Sequence, residues 1–125
     1  KTSGSQTALH KGSDRKDRRL MINAEFRRLG KEGYCGFTVS GHSGHAKRGK
    51  DIICAAVSGA TDLAVCILCD VLKAESELSV DDKNAEVSLS LLAANSDADR
   101  VITGLHMYLT DLSKEYPVNI RVREV

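Results

Sequence analysis

The feature that most constrains the fold is the stretch from Asp51 to Leu72. Within it Ile53, Val57, Ala60, Ala64, Ile67 and Val71 recur at spacings of three and four, and Ile52, Ala56, Leu63 and Leu68 widen the same apolar stripe. That period predicts one long amphipathic helix, and a helix with so broad an apolar face needs another layer of structure to cover it.

The flanking segments supply that layer. Residues 21–29 alternate Ile22, Ala24 and Phe26 with Asn23, Glu25 and Arg27, the period of a half-buried strand. Gly30-Lys31-Glu32-Gly33 turns the chain into a second strand over 34–40, making a hairpin. Two further strands are expected at 77–82 and 85–92, joined around Asp82-Lys83-Asn84, with Val87, Leu89 and Leu91 sharing a face. A second helix follows, capped by Asn95 or Ser96, with Val101, Leu105, Tyr108, Leu109 and Leu112 as its stripe and Pro117 just past its end. Val118, Ile120, Val122 and Val125, with Asn119, Arg121 and Arg123 between them, predict a terminal strand. The order ββαββαβ makes an α+β fold, with one mixed, mainly antiparallel sheet and both helices packed on it.

Composition bounds the rest. A chain of 125 residues that is 42% hydrophobic can bury one core, so residues 21–125 are expected to form a single domain. The formal net charge of +1 does not mark a nucleic-acid binder. The richest apolar stretch is interrupted by Ser58, Thr61, Asp62 and Asp70, which argues against a membrane span. Residues 1–20 are polar, rich in Ser, Gly, Lys and Arg, and lack the apolar centre of a secretion signal. They read as an appended or disordered tail ahead of Met21; the alternative is a natural arm whose Arg15, Lys16, Arg18 and Arg19 contact RNA. Four cysteines without a disulfide-type framework suit a reducing cytoplasm.

The chemistry is concentrated between the second strand and the long helix. Gly41-His42-Ser43-Gly44 places a histidine in a glycine-rich loop, and Cys54 follows twelve residues after it. A thiol attacks as thiolate, and an unperturbed one titrates near ~8.5. With Asp51 as N-cap, Cys54 is expected in the first turn, where unpaired backbone N–H groups and the helix dipole favour negative sulfur. His42 is placed to take the thiol proton and return it to a leaving amine. Ser43 to Lys50 reads as a mobile loop with Gly44 and Gly49 as hinges, able to close over a peptide. His42, His45 and Cys54 together also suit zinc, although metal there would occupy the nucleophile and base. Cys66-Ile67-Leu68-Cys69 has the spacing of a redox or zinc pair but lies mid-helix on an apolar segment, so packing is the expected role. Cys35 is read as a packing residue of its strand, and His106 as a surface or interface residue of the second helix.

Residues 21–125 resemble the ribosomal-processing cysteine proteases of bacteria. The resemblance rests on Met21-Ile22-Asn23-Ala24-Glu25-Phe26, on the run from Gly36 through Phe37-Thr38-Val39-Ser40-Gly41-His42-Ser43-Gly44-His45 to Ala46, and on the segment from Gly49 to Ser58. It implies a homodimeric endopeptidase that supports ribosome assembly by removing a short N-terminal extension from a large-subunit ribosomal protein. Cutting would fall after an aromatic residue and before a small one. By position Cys54 would be the nucleophile and His42 the base, with Gly41, Ser43, Gly44 and Gly49 in the substrate loop. Asp51 and Ser58 also match the family pattern; Asp51 either orients His42 or only caps the helix. No cofactor and no metal are implied. Two other readings stand beside this one: a non-catalytic ribosome-associated module that binds peptide or RNA, and a redox sensor pairing Cys54 with Cys66 or Cys69.

Overall fold

The computed structural model describes residues 21–41 and 48–125, with 48–51 described through their backbone only. The expected tail over residues 1–20 and the loop over 42–47 lie outside the described residues. Strand β1 (Ile22–Arg28) leads through a short 3-10 turn (Gly30–Glu32) into β2 (Tyr34–Ser40). Helix α1 (Arg48–Cys66) follows and continues as a π-helical segment over Ile67–Val71. Next come β3 (Ser76–Asp81), β4 (Glu86–Leu91), helix α2 (Ser96–Glu115) and β5 (Ile120–Glu124). The order is the expected ββαββαβ.

The sheet runs β3-β4-β2-β1-β5. β1 with β2, β2 with β4 and β3 with β4 are antiparallel, and β5 lies parallel to β1, so the sheet is mixed and mainly antiparallel as its pattern foretold. Its core face presents Ile22, Ala24, Phe26, Phe37, Val39, Leu89 and Ile120. Against these pack Ile53, Val57, Ala64 and Leu68 of α1 and its extension, and Ala98, Ile102, Leu105 and Leu109 of α2.

The helix ends follow local chemistry. Asn95, not Ser96, is the N-cap of α2, its side chain accepting the Ala98 N–H at 2.9 Å. The widened turn after α1 closes with Lys73 in the left-handed region at φ 53°, the Ala74 N–H donating to the Leu68 carbonyl. Several expected stripe positions are corrected. Tyr108 is exposed while Ala98 and Ile102 are buried, and Val118 and Val125 are exposed outside the core-facing part of β5. On α1 and its π-helical extension, Ile52, Leu63 and Val71 face outward. Apolar residues fill more than one face there, and the sheet covers only one.

Ile52–Val71 is long and apolar enough to cross a membrane by length and composition alone. The expectation that its polar interruptions disqualify it was therefore too strict, since only Asp62 and Asp70 carry charge. The fold instead uses this helix as a core element, with Val57, Thr61 and Leu68 fully buried.

The opposite sheet face is polar and organised by Arg27. Its guanidinium donates to Thr38 Oγ1 at 2.9 Å, the Leu89 carbonyl at 3.1 Å and Ser90 Oγ at 3.3 Å, tying β1 to β2 and β4. Gly36 makes this possible, because a Cβ there would sit 2.8 Å from Arg27 Nη2 and 2.6 Å from the Leu89 carbonyl oxygen.

A second polar cluster fastens β5. The Tyr34 hydroxyl donates to Glu124 Oε2 at 2.6 Å, Arg28 Nε lies 3.4 Å from Glu124 Oε1, and the Arg28 guanidinium sits 4.2 Å over the Tyr34 ring. His106, expected as a surface or interface residue of α2, is half-buried. Its ring meets Phe26 edge-on at 4.9 Å and stacks on Tyr34 at 5.5 Å, with Nε2 3.7 Å from Glu124 Oε2.

The Tyr34 hydrogen bond, helped by the Arg28 charge, holds the Glu124 carboxyl below its ordinary value of 4.5. A depressed carboxyl contributes stability above its unfolded value and loses it as pH falls through the folded one. Glu124→Gln is therefore expected to flatten the fall in Tm below pH 4.5 relative to wild type, measured by thermal denaturation from pH 7 to 3. An unchanged acid limb would show that the cluster does not couple to folding.

Candidate active site

The site begins where β2 ends. Gly41 has φ +88°, and its N–H donates to the Ala85 carbonyl at 3.1 Å. A Cβ at this position would lie 2.5 Å from the Met21 carbonyl oxygen, so only glycine lets the chain turn here, immediately before His42. Gly41→Ala should cost about 1–3 kcal/mol through the strained φ and the backbone clash. Urea denaturation measures that loss.

His42, Ser43, Gly44 and His45 lie outside the described residues, as does the Asp51 side chain. The helix itself corrects the expectation for its start. Because α1 begins at Arg48, Gly49 lies in the first turn and not at a loop hinge, and Asp51 is an interior position and not the N-cap. Arg48 and Lys50 are good helix formers and Gly49 between them is tolerated, so the helix extends one turn further back than an Asp51 cap predicts. Cys54 is then the seventh helical residue, past the first turn where the dipole and unpaired N–H groups act most strongly.

Cys54 is 8% exposed, at the rim of the core beside Ile53 and Val57. Ser58 is half-buried one helical turn further on, on the same face. Thr61, another turn along, is fully buried, and its hydroxyl has no hydrogen-bond partner among the described residues. Cys54, Ser58 and Thr61 thus form a polar line on the inward side of α1. In the sequence Thr61 reads only as an interruption of the long apolar stretch, although its spacing of seven from Cys54 places it on that face.

The other cysteines behave as packing or surface residues. Cys35 is half-buried on β2, Cys69 packs against the core, and Cys66 is exposed, all three unbridged. Among the described residues no group of three or more His, Cys, Asp or Glu side chains is placed to hold a metal ion.

Comparison with known proteins gives this geometry a context. A sequence model of the family described as cysteine protease Prp matches residues 21–121. No curated protein is significantly similar in sequence. Among solved structures, the Staphylococcus aureus essential ribosomal processing protease Prp in complex with a substrate peptide has the same fold. Its TM-score is 0.77 at 20% identity, covering 84% of this chain and 100% of the other. The same S. aureus protease with a covalently linked product peptide gives 0.74 at 22% identity, with 84% and 100% covered. A Streptococcus mutans protein gives 0.75 at 21% identity, with 84% and 97% covered. At such identities the superpositions speak for the fold, and the match over residues 21–121 speaks for descent: the chain belongs to the cysteine protease Prp family.

Proposed function

We propose that this chain is an endopeptidase that removes the N-terminal extension of a large-subunit ribosomal protein, with Cys54 as nucleophile and His42 as general base. The observation that carries the reading is the family match over residues 21–121, which spans both residues. The S. aureus relative has been captured with a substrate peptide and with a covalently linked product peptide, and a covalent link to product is what a thiol nucleophile forms.

In this mechanism His42 takes the Cys54 proton and the thiolate attacks the scissile carbonyl. Backbone N–H groups hold the oxyanion, the amine leaves with the proton from His42, and water hydrolyses the thioester. Because Cys54 sits beyond the first turn of α1, the dipole contributes less to thiolate formation than an Asp51 cap would give, and His42 carries more of the activation. Asp51 orients His42, Ser58 supports the nucleophile's face of the helix, and the segment through Gly41, Ser43 and Gly44, with Gly49 in the first turn of α1, positions the peptide.

The protease domain is residues 21–125, with 1–20 as a tail, and the enzyme acts in the cytoplasm as a homodimer. Ile52, Leu63 and Val71, exposed on α1 and its π-helical extension, favour association of copies through that face. The test is a quenched fluorescent peptide spanning an aromatic-to-small junction, incubated with the protein in reductant and chelator. The expected result is one cut at that junction, identified by product mass. Binding without cleavage would leave a peptide-binding module and remove the chemical role of Cys54.

A further inference from the structure

Among the described residues strand β3 is an edge of the sheet, paired with β4 in unbroken register from Ser76↔Leu91 to Asp81↔Glu86. Its outer side presents main-chain N–H and C=O groups to any strand that can lie beside it. Edge strands are commonly blunted by charge, proline or a bulge; Ser76-Glu77-Leu78-Ser79-Val80-Asp81 has neither proline nor bulge, and its charges, Glu77 and Asp81, are acidic, so they repel a like strand and admit a basic one. Leu78 and Val80 share the core-side face with Leu89 and Val87, their partners on β4, yet they remain 45% and 58% exposed. Glu77 and Asp81 alternate with them on the other face. Residues 75–86 hold Glu75, Glu77, Asp81, Asp82 and Glu86 against the single cation Lys83.

We infer that β3 is a docking edge for a basic, extended polypeptide in which cationic and apolar residues alternate, namely the part of the substrate that follows the scissile bond. The inference rests on the protease reading above. A ribosomal protein neutralises RNA phosphates with Lys and Arg, so the body of such a substrate is basic where this edge is acidic. Main-chain pairing would provide affinity, with Leu78 and Val80 meeting its apolar positions and the carboxylates its cationic ones.

The topology suits this route. Ser40 and Asp81 both pair with Glu86, so the acidic end of β3 lies at the end of the sheet from which the chain leaves toward His42. A strand added beyond β3 lies three strand spacings from β2, about 14 Å, which roughly four or five extended residues bridge. Running away from the site, that segment is antiparallel to β3, the favoured pairing. A second copy offering β5 is a poorer occupant. Its Arg123 already pairs with Glu25 at 2.5 Å, its Ile120 is buried in its own core, and such a head-to-tail contact lacks the self-complementarity of a two-fold dimer.

The test compares two fluorogenic substrates, a short peptide covering only the junction and the same peptide extended by a basic segment alternating Lys or Arg with Val. Wild type should cut the extended substrate with kcat/KM about tenfold higher at low salt, and the advantage should shrink as salt rises. Glu75→Lys with Glu77→Lys, both at exposed positions, should abolish the advantage and leave the short peptide unaffected; Val80→Ser should reduce it. Equal rates on both substrates, or equal losses on both in the charge-reversed variant, would overturn the inference. So would a change in oligomeric state of that variant by analytical ultracentrifugation, which would make β3 a contact between copies. Anisotropy of the labelled basic segment alone separates the two readings, since it should bind wild type even if neither peptide were cut.

Discussion

Cys54→Ala should eliminate peptide cleavage, lowering kcat by on the order of 10⁴–10⁶-fold, while the protein stays folded. The fold survives because the substitution removes one sulfur at the rim of the core. A loss of about 1 kcal/mol is small against the ~5–15 kcal/mol that holds a domain of this size. His42→Ala should produce a loss of similar order, and the two together little more than either alone, as expected for groups that act as a unit.

Alkylation distinguishes their roles. In wild type, iodoacetamide should modify Cys54 at a pH where an ordinary thiol is unreactive, and in His42→Ala the profile should move up toward ~8.5. The position of Cys54 as the seventh residue of α1 makes this shift diagnostic, because the helix terminus is too far along the chain to supply the thiolate by itself. Full cleavage by Cys54→Ala would end the thiol mechanism.

The second large effect is on stability. Phe26→Ala should destabilise the domain by about 3–5 kcal/mol, a large share of the total, read by urea denaturation with an unchanged m-value. Phe26 is fully buried, and its ring touches Tyr34 at 5.9 Å, Phe37 at 6.1 Å and His106 at 4.9 Å. It therefore joins β1, β2 and α2 at one point, next to the Glu124 cluster that fastens β5. The cavity left by alanine is lined by rings already held by their own neighbours, so the site has little scope to collapse around it. A loss below ~1.5 kcal/mol would mean that this aromatic cluster repacks freely.

Much of this molecule was legible in its residues. Alternation over Ile22 to Arg27 determined a strand with one apolar face, Gly30 to Gly33 determined the hairpin, and the period of three and four from Ile53 to Leu68 determined the long helix. These are local properties, since a side chain's direction repeats every 2 residues in a strand and every 3.6 in a helix, whatever lies beyond. The cysteine and its family pattern were legible for the same reason, being carried by short contiguous segments.

Other properties were decided only when distant segments met. Leu105 and Tyr108 read alike in the stripe of α2, yet one is buried and the other exposed, because the sheet covers a single face of each helix. His106 is held by Phe26 and Tyr34, and Tyr34 bonds Glu124 across 90 residues of sequence. Gly36 is required by an arginine on the neighbouring strand. Placing β5 beside β1, and leaving β3 as an acidic edge with Leu78 and Val80 uncovered, follows from the order of strands. Periodicity shows which face of an element is apolar, but burial, ion pairing and open edges depend on which other element arrives at that face, and that is a property of the assembled chain.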